Sequence, residues 1–177
     1  MFDRTLFLPA LAWATALALL LGSARAPSAA NLSSAAVLQD LHRSNQEALE
    51  LGRLGQKKGD TQEARRFADI VFYDHRSAER KVTALAKVEG VTLVGVPPAS
   101  RPLPGGREFD AAFAAIVIAD HQKDIAAVEE ALNSTTDQPL HKLLAEQLPM
   151  LQRHVDIAQK LLKTEKKDQS AVLNNSQ

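Results

Sequence analysis

The chain has 177 residues, of which 45% are hydrophobic and 24% charged, enough for one domain with a real core and too few for two. Lys and Arg (21) balance Asp and Glu (21), so there is no concentrated basic face for phosphates and nucleic-acid binding is excluded. Cysteine is absent, which excludes disulfides, thiolate metal sites and thiol nucleophiles.

The N-terminal stretch "MFDRTLFLPALAWATALALLLGSARA" carries Arg4, then no charge from Thr5 to Ala24, then Ala24 and Ala26 in a small-residue cleavage arrangement. It reads as a signal peptide over residues 1–26. Pro27 disfavours a cut directly after Ala26, and "APSAA" offers a later one after Ala30. The rival reading is an uncleaved anchor, since about 20 uncharged residues just span a bilayer; it would be the chain's one membrane contact. Either reading exports the remainder.

Four amphipathic segments separated by breakers follow. The first is expected over about Ser33–Lys57, stopped by Gly59. The second starts at Asp60, where Asp60 and Glu63 have capping-box spacing, and runs to Glu89 before Gly90. The link "VTLVGVPPASRPLPGGR", Val91–Arg107, has four prolines and three glycines and cannot be helical. The third segment covers about Glu108–Leu132. Pro139 then suits the first turn of a fourth helix, which runs to about Lys163 with a kink expected at Pro149. Residues 31–163 thus form the domain, and 164–177 a polar, loose tail.

No segment alternates with a period of two, which excludes a β-barrel. The fold class is all-α, a ferritin-like four-helix bundle with a long Pro/Gly-rich link between helices 2 and 3. At ~3.1 Å per residue the link reaches about 50 Å, longer than a helix of ~26 residues at ~1.5 Å each. It can therefore cross the bundle and set helix 3 parallel to helix 2.

Turning about 100° per residue places core and surface. On helix 2 the inward line contains Ala68, Val71, His75, Ala78 and Val82, with Asp74 at its edge. On helix 3 it contains Phe113, Val117, His121 and Val128, with Asp120 at its edge. Helix 1 turns Leu38, Leu41, Asn45, Ala48 and Leu49 inward with His42 on the flank, and helix 4 turns Leu144, Leu151 and Val155 inward with His154 on the flank. His141 points away. If both hairpins turn tightly, His75 falls opposite Arg43, His121 opposite Met150, and His154 about one turn (~6 Å) off the level of His121. Four histidines on four helices gather near mid-height.

Two readings of this cluster stand side by side. In one, His and Asp form a buried hydrogen-bonded layer that fixes helix register. In the other, His75, His121, His154 and His42, with Asp74 and Asp120, hold one transition-metal ion, zinc or iron. Adjacent residues on a helix diverge by about 100°, so each Asp serves a neighbouring helix rather than its own His. A di-iron oxygen-activating centre is excluded: it needs Glu-x-x-His on two helices, and Phe72 and Ile118 stand three residues before His75 and His121. No G-x-S-x-G, G-x-G-x-x-G or P-loop pattern occurs.

The segments "LHRSNQEALELGRLGQKKG" (Leu41–Gly59), "FADIVFYDHRSAERKVTALAKVEGVTL" (Phe67–Leu93), "FDAAFAAIVIADHQKDIAAVEE" (Phe109–Glu130) and "LPMLQRHVDIAQKLL" (Leu148–Leu162) resemble a bacterial family of exported proteins. Its members carry a domain of unknown function and are often labelled predicted outer-membrane proteins. The resemblance implies a ferritin-like bundle in the periplasm or on the envelope, with Asp74, His75, Asp120, His121 and His154 as the motif residues. It also implies an acidic residue at the inward position where this chain has Ala48. The site here is then one ligand short, or is completed by His42 or Asn45.

The expectation is an exported helical bundle without catalytic activity, acting in envelope upkeep or stress through contacts with envelope proteins. The alternative is a metal-binding protein built on the histidine cluster.

Overall fold

The computed structural model describes residues 29–95, 97 and 101–174; the segment 1–26, expected to be a signal peptide, lies outside them. The chain forms an all-α four-helix bundle of α1 (Ala29–Lys58), α2 (Gln62–Val88), α3 (Arg107–Ser134) and α4 (Gln138–Asn174). Among the described residues no helix is long and apolar enough to cross a membrane. α4 passes through Pro149 as one helix and continues past its expected end at Lys163, where the sequence reading had a loose tail.

The start of α2 differs from expectation. The N-cap is Thr61, whose Oγ1 accepts from the Ala64 amide, and not Asp60. The Asp60 and Thr61 amides each donate to the Asp110 carboxylate at 2.8 Å, and the Thr61 hydroxyl donates to it at 2.7 Å. A fully buried carboxylate from α3 thus binds the free amides ahead of α2, where it also meets the positive end of the helix. At the other end Gly90 takes φ +70°, and the Val91 amide donates back to the Ala86 carbonyl at 2.8 Å. That closure needs a left-handed residue and explains the glycine.

The Thr61–Asp110 contact sets the start of α2 beside the start of α3. Ser34 donates to Asp137 at 3.1 Å, which sets the start of α1 beside that of α4. α1 and α4 therefore run one way, α2 and α3 the other. The main packing is within the α1–α2 and α3–α4 hairpins, with lighter α2–α4 and α1–α3 contacts. In the first hairpin the helices pack closely at Gly55, where a Cβ would lie 2.6 Å from that of Ala68.

The link accounts for these directions. Val94 exchanges two hydrogen bonds with the Gln39 side chain, at 2.8 and 3.1 Å. Further on, Arg101 pairs with Asp120 and with Glu47. Val91 and Leu93 pack on one apolar cluster and Leu103 on the other. The described parts of the link thus run along α1 and α3 from one end of the bundle to the other.

The core is in two blocks. One holds Phe67, Val71, Phe109, Phe113, Val117 and Ala158; the other holds Leu38, Val82, Val128, Leu140, Leu144 and Leu151. On α2, α3 and α4 a buried histidine lies in sequence between the two blocks: His75, His121 and His154, each no more than 1% exposed.

Candidate metal centre

His75, His121 and His154 reach this level because the helical repeat carries each into its helix's apolar stripe. His154, expected on the flank and a turn away, is fully buried and lies level with His121. The offset has a direction. Helical side chains lean toward their own N-terminus, so residues that meet across an antiparallel pair lie further along both helices than backbone levels suggest. The same lean brings His75 to Asn45 rather than to Arg43.

Three ring nitrogens converge. His121 Nε2 lies 3.1 Å from His75 Nε2 and 3.1 Å from His154 Nδ1, and one nitrogen of each ring falls within 4.8 Å of the other two.

The outer partners fix where the protons are. Asn45 gives its amide N–H to Glu79 Oε2 at 3.3 Å and turns its Oδ1 to His75 Nδ1 at 2.9 Å. His75 Nδ1 therefore carries a proton and donates it, leaving a lone pair on the inward Nε2. His154 Nε2 donates to Asp74 Oδ2 at 2.9 Å, leaving a lone pair on the inward Nδ1. His121 Nδ1 is buried with no partner.

Hydrogen bonding among the described side chains does not satisfy this arrangement. With its proton on Nε2, His121 satisfies one of the two facing lone pairs fully at best, and its own Nδ1 lone pair stays buried without a donor. With the proton on Nδ1, three lone pairs face one point. An extra proton would help, but burial disfavours it. Desolvation and the other two rings hold His75 well below its ordinary 6.5, and burial followed by His154 takes His121 to about 3. Burial also lowers His154, against the opposing pull of Asp74. All three are neutral imidazoles at neutral pH, the form that ligates metals.

A metal ion would accept all three lone pairs at once. Nitrogens held about 2.0–2.1 Å from a tetrahedral ion stand about 3.3 Å apart, close to the two separations of 3.1 Å. The Asn45 amide on His75 and the Asp74 carboxylate on His154 are the outer partners that orient metal-binding imidazoles. Three protein ligands would leave a fourth position for a further ligand.

The other predicted residues lie outside the converging nitrogens. His42 donates from Nδ1 to Glu79 Oε1 at 2.6 Å and so supports the Asn45 end of the chain. Asp74, as expected, serves a neighbouring helix: it binds His154 and, at 2.5 Å, Arg153. Asp120 is taken by Arg101 of the link. Neither Asn45 nor His42 fills the fourth place opposite Ala48. Glu79 was missed by the sequence reading, although its position one turn after His75 on α2 was a usable signal.

A cavity of about 240 Å³ lies between α1 and α3 and reaches His75 and His121. Ala48 lines it with the two histidines, and Leu41, Val128, Leu144 and Leu151 form its apolar wall. Ser44 donates to Asp124 between the two helices, and burial raises the Asp124 carboxyl above its ordinary range.

No curated protein and no solved structure matches the chain. One family does, Domain of unknown function (DUF4142), over residues 20–161. That span takes in all three converging histidines, and the chain belongs to this family.

Proposed function

We propose that this is an exported protein of the bacterial envelope whose bundle holds one divalent transition-metal ion on His75, His121 and His154. The observation that carries the metal reading is the proton count: two outward hydrogen bonds fix inward lone pairs on His75 and His154, and His121 cannot satisfy both. A structural polar layer closes its own hydrogen bonds, and the described side chains of this one do not. All-nitrogen ligation suits zinc, with iron as a weaker competitor, since affinity at such a site rises across the series from iron toward copper. Export is supported by the uncharged N-terminal stretch with its Ala24–Ala26 cleavage arrangement. The parallel course of α2 and α3 supports a ferritin-like connectivity.

The test is metal analysis of protein purified without chelators, with thermal melts of the stripped form. Roughly one zinc per chain is expected after loading, lost in the His75→Ala/His121→Ala variant. At a hundred-fold excess over Kd, zinc should add about 2.7 kcal/mol of stability. Stripped protein that takes up no zinc, iron, copper or nickel and melts unchanged in their presence would return the cluster to a structural role. Intact mass of the exported protein tests the leader: loss of residues 1–26, or of the first 30, is expected, and a retained N-terminus would mean an anchor.

A further inference from the structure

The cavity reaches two of the three histidines, His75 and His121, and among the described residues no fourth His, Asp or Glu joins their converging nitrogens. Building on the metal reading, we infer that the α1–α3 cavity takes a small monocarboxylate with a short hydrocarbon tail, its head group completing the metal's coordination.

Charge selects the head group. A divalent ion held by three neutral imidazoles keeps its full charge in a buried site, and a buried charge favours an opposite one beside it. The nearest protein carboxylates are occupied elsewhere: Asp74 accepts from His154 and Arg153, Asp120 is paired with Arg101, and Asp124 accepts from Ser44. An anion from outside meets that need.

The wall selects the tail. Leu41, Val128, Leu144 and Leu151 give the cavity a largely apolar wall, in which Gln147 is a buried polar residue. Along α3 it extends from His121 to Ala131, about 15 Å at ~1.5 Å per residue, so the space is elongated. Its volume of about 240 Å³ equals that of roughly eight water molecules at ~30 Å³ each, which suits a ligand with about as many non-hydrogen atoms. Hexanoate has this size. The mouth carries acids and bases together: Asp40 is paired with Arg43, Asp120 and Glu47 share Arg101, and Lys123 lines it with Asp124.

The probe is sodium hexanoate, titrated calorimetrically into the zinc-loaded full chain, with acetate and hexanol as controls. Cobalt-loaded protein provides a spectroscopic readout of the metal's coordination. Hexanoate should bind at least about tenfold more tightly than acetate, because each buried methylene adds to affinity, and should change the visible bands of the cobalt form. Hexanol should bind at least about tenfold more weakly than hexanoate. Ala127, exposed at the mouth, allows a block: Ala127→Trp should keep zinc uptake and lose hexanoate. Zinc uptake with no hexanoate binding, or binding that leaves the cobalt bands unchanged, overturns the ligand inference alone. Failure to take up zinc overturns the metal reading and this inference with it.

Discussion

Asn45 on α1 places its Oδ1 2.9 Å from Nδ1 of His75 on α2, and its orientation is set by the amide N–H it gives to Glu79. This contact, between two buried side chains, decides which nitrogen of His75 faces the centre with a free lone pair. Behind Glu79 stands His42, so a chain of three side chains leads from the edge of the bundle to one ligand.

Replacing Asn45 by Leu should therefore weaken zinc without removing its ligands. The expected loss is about 10–100-fold in affinity, the usual effect of deleting a partner behind a metal-bound histidine, with stoichiometry unchanged. Competition against a chromophoric chelator measures it. An affinity equal to that of the unaltered protein would mean that His75 is oriented by packing alone.

His121→Leu separates the cost of the layer from its use. The substitution removes a buried polar ring whose Nδ1 has no partner, an omission that costs about 1–3 kcal/mol. Because Leu also deletes one hydrogen bond to His75 or His154, metal-free His121→Leu protein should stay within about 1 kcal/mol of the metal-free parent in urea unfolding, while zinc uptake is lost. A loss of more than about 2 kcal/mol, the scale of a broken buried hydrogen bond network, would show that His121 stabilises the apo fold.

Acid should unfold the metal-free protein in part through this layer. Unfolded histidines take up protons below an ordinary value of 6.5, whereas folded His121 resists until about 3, and His75 and His154 also resist. Between those limits the unfolded chain binds more protons, so stability falls as pH falls; above 6.5 the three histidines add no slope. Each histidine that stays neutral contributes about 1.4 kcal/mol per pH unit. Unfolding free energies from urea titrations across this window should fall less steeply for His121→Leu than for the parent, by about that amount. Equal slopes would mean that folded His121 is protonated.

Gly55→Ala tests the tight seam between α1 and α2. The added Cβ would lie 2.6 Å from that of Ala68 and 3.0 Å from the Phe113 ring. The two helices would have to part. A loss of about 1–3 kcal/mol is expected from such overpacking, despite alanine's better helix propensity, and chemical denaturation measures it. A neutral result would mean that the hairpin shifts freely.

The helices and their inward faces were legible in the sequence because the 3.6-residue repeat is strong and breakers are plain: Gly59, Gly90 and the Pro-rich link stop helices where the structure stops them. His75 and His121 were identifiable for the same reason. His154 was placed too far out and a turn off level, since a wheel ignores the lean of side chains toward the N-terminus. The Asp60 capping reading failed because the competing acceptor, Asp110, is distant in the chain and only the folded bundle brings it near. Which partners the histidines find, Asn45 for His75 and Asp74 for His154, is set by the folded bundle, and spacing carries none of that. Asp120 shows the limit best: its sequence setting matches that of Asp74, yet one carboxylate holds a histidine and the other an arginine from the link.

The division of the core into two blocks bears on cooperativity. Each block draws on α1, α2, α3 and α4, so neither hairpin can form a complete block by itself. Between the blocks, rings with unmet bonding needs make a weak mechanical joint in the apo protein. An ion bound there ties α2, α3 and α4 together at one point, between the two apolar ends. Metal occupancy would thus set whether heat melts this bundle as one unit or lets its ends come apart separately.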